Sequence, residues 1–434
     1  MSTAVRPGAA SGSVELPPPT GLLRRAGKHP RLMHYNRLIA LVLAGNIVLL
    51  WYGLADDGAV GERSLSHAAL GNLALAVVVR QQYVVNALFR IATSAPVHWP
   101  LKVRWTLAKV YHFGGLHVGG ALAGTLWFLA LVAVTTAQGA PAAVLAAGYA
   151  LAVLCVVIVA TALPPFRARF HDHFERIHRY GGWAALALLW AHTILVARAR
   201  GAFPPAEPAF WLLAVVTASV ALPWLRLRRV PVAVETPSPH VALARFDHGV
   251  TPFAGSSTAI SRSPLGQWHS FANVPEPGRT GFRLTVSRAG DWTGRFIDDR
   301  PGTVWVKGIT TAGVANVETL FRKVVYVATG SGIGPCLPHL LAGEVPARLV
   351  WATRSPRATY GDALVDEILG VQPEAVVWDT AEHGKPDMVA LAWSVYREFG
   401  AEAVICISNK KLTWQVVHGL ERRGVPAYGA IWDS

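Results

Sequence analysis

Long apolar segments separated by short polar stretches fill the first half of the chain. Six of them approach the roughly 20 residues that a helix needs to cross a bilayer. The predicted spans cover residues 37–55, 66–88, 107–134, 142–163, 179–197 and 209–225. Arg80, Gln81 and Gln82 interrupt the second span, so Arg80 lies either near an interface or against a polar interior. The pattern predicts a multi-pass α-helical membrane domain of six helices over residues 37–230.

The pattern changes beyond residue 230. Residues 231–320 show short alternating strands with Gly, Pro and Ser turns, which predict a small antiparallel β-barrel. Residues 321–434 alternate strand and helix, as in a doubly wound α/β nucleotide-binding sheet. Its predicted strands are Lys323 to Ala328, Ala347 to Ala352, Ala375 to Asp379, Ala403 to Ser408 and Ala427 to Ile431. Residues 1–36 are rich in Gly, Pro, Ser and Ala and predict a flexible basic tail without a secretory signal peptide.

Composition supports membrane insertion. The chain has 434 residues, 52% of them hydrophobic, and its mean hydropathy of +0.34 is too high for an ordinary soluble protein. The net charge of +14 would suit nucleic acid, but the basic residues flank apolar segments and no basic and aromatic recognition pattern occurs, so we expect no nucleic-acid partner. Cys155, Cys336 and Cys406 match no disulfide or zinc spacing, which favours a reducing compartment.

Loop charges predict the orientation of the spans. Lys and Arg concentrate in the tail, in the loops after the second and fourth spans, and directly after the sixth span at Arg226, Arg228 and Arg229. The opposite loops carry Asp56 and Glu62 or little charge, although Arg198 and Arg200 depart from the pattern. Because Lys and Arg favour the cytoplasmic side, both termini are expected in the cytoplasm, with membrane lipid as the immediate partner.

A glycine turn organises the last domain. In FRKVVYVATGSGIGPCLPHL, a β-branched run is followed by glycines and then by helical spacing, which predicts strand, turn and helix. The turn consists of Gly330, Ser331, Gly332, Ile333, Gly334 and Pro335, with Pro335 expected as the first helical residue. Such a turn either permits tight packing or presents backbone N–H groups to a phosphate.

Histidines inside apolar spans are functional candidates because they are costly unless they are paired. The third span carries His112 and His117, and the fifth carries His178 and His192. Fourteen residues separate the last two, which places them on nearly the same helix face about 21 Å apart. They are candidate haem ligands, one near each leaflet. The alternatives are hydrogen bonds between helices or a polar cavity.

The order of these features resembles the ferric reductase and NADPH oxidase superfamily. That resemblance implies a six-helix haem domain followed by FAD-binding and NAD(P)-binding domains of the ferredoxin-reductase type. The third span departs from the two-haem pattern, because Leu126 stands fourteen residues beyond His112. One inner haem b at His112 and His178 is therefore expected if haem binds, and His192 has no evident partner. The glycines of the third span either pack helices closely or leave room for a macrocycle.

Two segments resemble the flavin sites of that superfamily. GQWHSFANVP contains His269, Ser270, Phe271 and Ala272, where the family usually has His-Pro-Phe followed by Thr or Ser. FRLTVSRAGDWTGRF contains Gly290, Asp291, Trp292 and Thr293, like the family's glycine, two variable residues and a hydroxyl residue. The first segment would border the flavin ring, and the second would open a helix at the FAD pyrophosphate.

The glycine turn resembles the family's nicotinamide-nucleotide loop, with Arg354 a candidate for an adenosine 2′-phosphate contact. Later positions depart from the family's pattern. Ser408 and Asn409 stand where the family has Cys-Gly-Pro, Cys406 lies two positions early, and Trp432 is the candidate for the terminal aromatic that covers the flavin. This combination is most similar to the fungal integral membrane flavoprotein subgroup called TmpA.

The sequence thus predicts a membrane-bound flavoprotein oxidoreductase. Electrons would pass from NAD(P)H through FAD to an unknown acceptor, which is a haem protein, a quinone or a small molecule, with or without one haem in the chain itself. The main alternative is a non-enzymatic membrane redox sensor that binds flavin or nucleotide. A transporter that uses the histidines as a proton relay is a third hypothesis.

Overall fold

The computed structural model describes residues 15–21, 27–57 and 60–430. They form two compact units. Of the described residues, the helical unit contains 34–57, 60–84 and 112–222, and the sheet unit contains 15–21, 27–33, 85–111 and 223–430.

Nine α-helices lie in the described residues of the first half, and each predicted span overlaps at least one of them. They are α1 (His34–Asp57), α2 (Glu62–Val78), α3 (Gln82–Thr93), α4 (Leu101–Leu107), α5 (Gly114–Ala137), α6 (Ala142–Thr161), α7 (Pro164–Arg169), α8 (His171–Ala199) and α9 (Pro208–Leu225). Short 3₁₀ helices lie at Pro30–Leu32, Ala108–Phe113 and Pro204–Ala206. In the described part of the chain, five helical segments are long and apolar enough to cross a membrane, and the pair α2 and α3 would make a sixth.

The second predicted span is broken rather than continuous. Helices α2 and α3 meet at an angle of 75°, at the polar interruption that the sequence shows. The buried Gln81 accepts hydrogen bonds from the backbone N–H of Tyr83 at 2.6 Å and of Val84 at 3.3 Å. Its side chain thereby satisfies N–H groups that open α3, so a new helix begins in a new direction.

Glycines of α5 bring helices into close contact. A methyl group on Gly115 would overlap the carbonyl oxygen of Tyr35 in α1, and one on Gly120 would lie 2.7 Å from the carbonyl oxygen of Asn72 in α2. Of the two alternatives for these glycines, close helix packing is the one observed.

A polar network joins α1, α2 and α5 inside the helical unit. The amides of Asn46 and Asn72 exchange hydrogen bonds of 3.0 and 2.7 Å, and Trp127 donates its indole N–H to the Asn46 oxygen at 2.7 Å. Both amides also donate to backbone carbonyls one turn earlier. Every polar side-chain atom of the two asparagines therefore has a partner in an apolar environment, where an unpaired one would be costly.

The predicted β-barrel is not closed. Strands β1 (Leu227–Pro231), β2 (Ala233–Ser238), β3 (Val241–Phe246), β4 (Ser256–Ser261), β5 (His269–Ala272), β6 (Phe282–Ser287), β7 (Thr303–Lys307) and β8 (Thr311–Ala312) form two antiparallel sheets. One has the order β1-β7-β4-β5 with β8 on β4, and the other β2-β3-β6. In the described residues, an isolated bridge between Val274 and Arg283 joins their edges. At the opposite edge Pro231 has no N–H with which to continue a ladder.

The two sheets share one core. The rings of Phe246 and Phe282 stack with centroids 4.9 Å apart, and Ile260 and Val306 from the other sheet belong to the same buried cluster. Helix α10 (Asp291–Asp299) follows β6 and contributes Phe296 to it. The sheets are therefore packed face to face over an apolar interior.

The predicted doubly wound sheet is confirmed. Its strands are β9 (Val324–Thr329), β10 (Ala347–Thr353), β11 (Val376–Asp379), β12 (Ala403–Ile407) and β13 (Ala427–Tyr428), all parallel, in the order β11-β10-β9-β12-β13. The helices between them are α11 (Ile333–Ala342), α12 (Pro356–Tyr360), α13 (Asp362–Val371), α14 (Thr380–His383), α15 (Met388–Phe399) and α16 (Lys410–Glu421), and 3₁₀ turns lie at Val314–Leu320 and Gly330–Gly332.

A buried ion pair fixes residues 85–111 on this sheet. Arg104, only 3% exposed, donates to Glu402 at 2.6 Å and to the carbonyl oxygens of Trp99 and Leu320, each at 2.8 Å. Burial by itself would raise the pKa of the Glu402 carboxyl, but the hydrogen bond from Arg104 and the backbone N–H of Arg322 hold that pKa below its usual value. Arg104, which the sequence suggested only as a loop charge, is a structural anchor.

A second cluster of buried polar side chains includes His339 of α11. Glu318 accepts a 2.7 Å hydrogen bond from the Tyr326 hydroxyl, and its other carboxylate oxygen contacts Nδ1 of His339. Glu318 and His339 are 2% and 3% exposed and Tyr326 is fully buried. Burial, and next the charge of Glu318, raise the pKa of Tyr326 well above its usual value, so the phenol remains a hydrogen-bond donor at physiological pH.

Replacing Glu318 by alanine should lower the free energy of unfolding by about 3 kcal/mol, because Tyr326 and His339 would lose their partner in a dry interior. The measurement is thermal and chemical unfolding of the full chain in detergent, followed by circular dichroism. Glu382→Ala is the control: its side chain is 67% exposed, so a change within about 0.5 kcal/mol is expected. Equal stability of the two variants would contradict the buried network.

Candidate functional site

The glycine turn lies at the switch point of the doubly wound sheet. Strand β9 has β10 on one side and β12 on the other, so chain connections leave it in opposite directions. The 3₁₀ turn Gly330–Gly332 follows β9 directly, and α11 begins at Ile333. Pro335 is therefore the third helical residue rather than the predicted first. The carboxyl edge at a switch point is where sheets of this kind bind ligands.

Two of the glycines are required by geometry. Gly330 has φ +49°, in the region that favours glycine, and the indole N–H of Trp351 donates to its carbonyl oxygen at 3.0 Å. A methyl group on Gly332 would overlap the carbonyl oxygen of Ile407 at the end of β12. Between them Ser331 is exposed. The contacts with Trp351 and Ile407 therefore fix the inner side of the turn, whereas its outer side, at Ser331, is exposed.

Ser408 joins this turn, whereas Asn409 has another role. The hydroxyls of Ser408 and Thr329 are in contact across the ends of β12 and β9. Asn409 accepts a 3.0 Å hydrogen bond from the backbone N–H of Leu412 and so caps α16. Of the two residues that replace the family's Cys-Gly-Pro, only Ser408 contacts the candidate nucleotide edge through its side chain.

Cys406 is a core residue of the parallel sheet. It is fully buried in β12, paired in register with Val327. Burial raises the pKa of its thiol to about 12, although Thr413 opposes the shift. Cys336, on α11, is equally buried, and burial followed by the neighbouring Cys406 raises its pKa well above the usual value. Both are neutral core residues at physiological pH.

Arg354 is the candidate for the 2′-phosphate contact. It follows β10 at the same carboxyl edge and is exposed, and its carbonyl oxygen accepts a 2.8 Å hydrogen bond from the Thr359 hydroxyl. Its guanidinium role stays a prediction. Trp432, the candidate terminal aromatic, lies outside the described residues.

The two predicted flavin segments come together. His269, Ser270, Phe271 and Ala272 form β5, the edge strand beside β4. The ring of Trp292, in the first turn of α10, lies 4.3 Å from that of His269 and 6.3 Å from that of Phe271, between centroids. The order of these motifs in the sequence therefore corresponds to a real contact, while FAD binding by them stays a prediction.

The start of α10 has the features of an anion site. Thr293 accepts hydrogen bonds from the backbone N–H of Ala289 at 2.9 Å and of Gly290 at 3.1 Å, so its hydroxyl holds the turn in shape. A methyl group on Gly290 would meet no atom within 4 Å. This space adjoins the N–H groups of the first helical turn. Asp291 is exposed there, and its carbonyl oxygen accepts a 3.3 Å bond from Arg295. Binding of a pyrophosphate at this open helix start stays a prediction.

The glycine turn and the flavin segments adjoin within the sheet unit. A methyl group on Gly334, near the start of α11, would lie 3.2 Å from Cβ of Thr285 in β6, and α11 packs against β5. The carboxyl edge of the parallel sheet therefore lies beside strands β5 and β6 of the antiparallel sheets. The sequence provided no signal for this approach beyond the resemblance.

The structure corrects the pairing of the histidines. His178 lies beside His117, with ring centroids 5.9 Å apart, and not beside the predicted His112. His112 stacks instead with His34 at 6.2 Å. His112 lies in the six-residue 3₁₀ segment Ala108–Phe113, so the angle that an ideal α-helix would give between His112 and His117 does not apply. Nδ1 of His117 donates to the carbonyl oxygen of Ala76 at 2.7 Å, which leaves Nε2 as the atom that can bind a metal.

His192 is buried between helices. Its ring packs edge-on against Phe128, with centroids 5.3 Å apart, and it lies 3.7 Å from the position that a methyl group on Gly148 would take. In residues 15–21, 27–57 and 60–430, no group of three or more His, Cys, Asp or Glu side chains is placed to hold a metal ion.

Comparison with known proteins agrees with a reductase-type sheet unit. Residues 314–434 match the family model described as the C-terminal domain of adenylate-forming reductase 03009. The chain is 43% identical over 427 residues to adenylate-forming reductase 03009 and 41% identical over 434 residues to adenylate-forming reductase 06235, both from Coprinopsis cinerea. These alignments cover 95% and 97% of this chain but only 41% and 42% of the relatives. The chain therefore spans about two fifths of their length.

Solved structures of FAD-dependent proteins are similar in part. A ferredoxin NADP+ reductase from Neisseria gonorrhoeae with bound FAD and NADP covers 47% of this chain and 98% of its own, at 12% identity and a TM-score of 0.38. A flavohemoglobin from Malassezia yamatoensis with bound FAD and heme covers 86% of this chain and 98% of its own, at 15% identity and a TM-score of 0.41.

Gly332→Ala should destabilise the fold by about 2 kcal/mol or more, because the new methyl group forces the turn away from Ile407. Gly370→Ala is the matched control. Gly370 lies in α13, where an added methyl group meets no atom within 4 Å, so a gain of about 0.5–1 kcal/mol is expected. Unfolding of the two variants by circular dichroism should shift in opposite directions; a shift of the same sign would show that the close approach is not required.

Proposed function

We propose that this chain is a membrane-bound flavoprotein oxidoreductase that takes electrons from NAD(P)H and passes them through FAD to an acceptor at the cytoplasmic face. The observation that carries the proposal is the approach of α11, which follows the glycine turn, to β5 and β6, which carry the flavin-type segment. A nicotinamide and a flavin bound at these two places would be neighbours. FAD, when bound, supplies the hydride and electron chemistry.

The residues of this chain would bind and position both nucleotides. Backbone N–H groups from Gly330 to Gly332 cradle a phosphate of NAD(P)H at the helix start, and the exposed Ser331 adds a hydroxyl donor. The first turn of α10, opened by Gly290 and shaped by Thr293, holds the FAD pyrophosphate. His269 and Trp292 present aromatic surface to the flavin ring.

The curated relatives support redox chemistry through their name, adenylate-forming reductase. We assign the reductase part of that name to the region this chain represents. Adenylate formation is not assigned to it, because the alignment leaves more than half of each relative uncovered.

Membrane insertion is part of the proposal. Five long apolar helical segments and the bent pair α2 and α3 would make six crossings of the bilayer, an even number that agrees with the cytoplasmic orientation of both termini indicated by the basic loops. The sheet unit then works at the cytoplasmic face, in contact with lipid. The acceptor is a quinone, a haem protein or a small molecule.

At most one haem belongs to this proposal. His117 and His178 face each other, and the bonded Nδ1 of His117 is the arrangement that ligating histidines commonly show. His112 and His192 have other ring neighbours, His34 and Phe128. A b-type haem at His117 and His178 would be lost in a His178→Ala variant, whereas His192→Ala would retain it.

A redox sensor is the second candidate, favoured by a specific observation. The thiol that the related enzymes hold near the nicotinamide is absent from the edge of the sheet, since Cys406 is buried and Ser408 and Asn409 take its place. Such a protein would bind flavin and nucleotide without rapid turnover and would report the redox state to a partner.

An absorption spectrum and a turnover assay separate these functions. The full chain, purified in detergent, should show a flavin spectrum that NADPH or NADH bleaches, and it should reduce an artificial acceptor continuously. A flavin-loaded protein that oxidises neither nucleotide would refute the enzyme and leave the sensor; a protein without flavin would refute both.

Arg354→Gln should raise KM for NADPH about tenfold and leave KM for NADH unchanged, because only NADPH carries the 2′-phosphate that a guanidinium would bind. Arg357→Gln is the matched control. Arg357 is also exposed but is paired with Asp362 at 2.9 Å and Asp366 at 2.7 Å, so neither KM should change. Equal effects of Arg354→Gln on both nucleotides would exclude the 2′-phosphate contact.

A further inference from the structure

Residues 85–111 belong to the sheet unit, and the helix α3 with which they begin has two different faces. Val85, Phe89 and Ala92 are buried, and their spacing of four and three residues places them on one side of the helix. Ile91 is 71% exposed and lies about 200° around the helix from Phe89. One side of α3 therefore packs into the protein, while the opposite side presents apolar surface to its surroundings.

The side-chain amide of Asn86 attaches α3 to the antiparallel sheets. It donates to the carbonyl oxygen of Thr310 at 2.9 Å and accepts from the backbone N–H of Ala312 at 2.9 Å. Ala312 belongs to β8, which pairs with β4, and β4 pairs with β5, the strand of the first flavin segment. The position of α3 is therefore linked through hydrogen-bonded strands to that of the candidate flavin strand.

The cations of this segment are of two kinds. Arg104 and Lys109 are buried, and each contacts a glutamate from another part of the sheet unit. Arg90 and Lys102 are exposed, and among the described residues no carboxylate forms an ion pair with either. The sequence has no Asp or Glu from residue 64 to residue 171. The exposed charge of the segment is therefore exclusively positive.

Exposed apolar side chains are concentrated beside these two cations. They are Ile91, Val97, Trp99, Leu101 and Val103. Across residues 229–430 the large apolar side chains that are exposed are Val250, Phe253, Leu265 and Val371. A short stretch of chain thus exposes more of them than the whole of that region. We call the five residues from Ile91 to Val103, together with Arg90 and Lys102, the linker surface. Apolar surface of this kind indicates a site of interaction.

We propose that the linker surface lies in the headgroup layer of the cytoplasmic leaflet and holds the sheet unit, with its candidate flavin strand, at the membrane. The inference rests on the proposed membrane placement. Its apolar side chains would enter the boundary between headgroups and acyl chains, and Arg90 and Lys102 would contact anionic lipid headgroups. Trp99 suits this layer because tryptophan is enriched at membrane interfaces.

The course of the chain favours lipid over a protein partner. Helix α2 ends at Val78 and α5 begins at Gly114, so the segment continues at both ends into a predicted span and is tethered close to a bilayer. The bend of 75° between α2 and α3 allows α2, with 17 residues, to cross while α3 lies along the interface.

The test uses the full chain in nanodiscs made of phosphatidylcholine and phosphatidylserine in equal parts, with a spin label on Val97→Cys. The three native cysteines are buried and stay unlabelled. The label should lie about 5–10 Å deep in the interface, and it should therefore collide more often with dissolved oxygen than with an aqueous nickel complex. A label on Glu382→Cys is the matched control. Because that side chain is 67% exposed, the nickel complex should reach it more readily than oxygen does.

A charge variant tests the contact with anionic lipid. Arg90→Gln combined with Lys102→Gln should lower the ratio of docked to undocked label about 25-fold, since each cation near an anionic leaflet contributes a factor of about five. Lys385→Gln combined with Arg397→Gln removes two exposed cations of the doubly wound part and should leave the ratio unchanged. In phosphatidylcholine alone the first pair should have no more effect than the second. Equal effects of the two pairs in the anionic nanodiscs would overturn the headgroup contact.

Membrane insertion is measured separately, by resistance to alkaline extraction. If the nickel complex reaches both labels equally in an inserted chain whose flavin NADPH bleaches, this inference is overturned and the proposed function remains. A Val97 label that is shielded from both reagents, in detergent as well as in nanodiscs, would overturn it in favour of a protein partner. Extraction of the chain from membranes would instead refute the membrane placement on which both rest.

Discussion

The candidate site depends on one close approach, that of Gly332 to the carbonyl oxygen of Ile407. Because β9 and β12 are adjacent parallel strands, the turn after β9 must pass directly over the end of β12, and only a residue without a side chain leaves room. That passage fixes where α11 begins. The direction of α11 then determines its contact with β5 and β6, so the geometry of both nucleotide sites follows from a single missing methyl group.

A second constraint is that polar groups in apolar surroundings need partners, and the structure meets it by joining distant segments. Asn46 and Asn72 bond to each other in the helical unit. Arg104 and Glu402 do so in the sheet unit, where 298 residues separate them. In each case, removing one partner would take a hydrogen bond from a buried or partly buried polar group, which costs more than the pair gains. These contacts specify the arrangement of segments rather than contributing large net stability.

The sequence was sufficient for features with a local cause. Apolar length predicted the long helices of the first half but not the short α4 and α7. Apolar runs predicted β9, β10 and β12 to within one residue, and the polar triplet at Arg80 coincides with the break between α2 and α3. The sequence did not predict the features that depend on contacts between distant segments. Nothing in the local pattern shows that Gln81 caps α3, that the sheets remain open at Pro231, or that a 3₁₀ segment turns His117 rather than His112 toward His178. Motif order placed Trp292 near His269 only through resemblance, since no local rule relates the two.

Whether the chain is an enzyme or a sensor depends on what a cysteine at the sheet edge would contribute to the reaction. Hydride transfer between two bound nucleotides needs them to be close and correctly oriented, and it does not need a thiol to form or break a bond. A cysteine at the sheet edge would act only through polarity and shape near the nicotinamide, and the hydroxyl of Ser408, held against Thr329, offers a polar group at the same edge. A serine rather than a cysteine at this edge would therefore change how a bound nicotinamide ring is positioned more than whether the reaction can occur. This favours a reductase with altered rate or acceptor over a protein that has lost its chemistry.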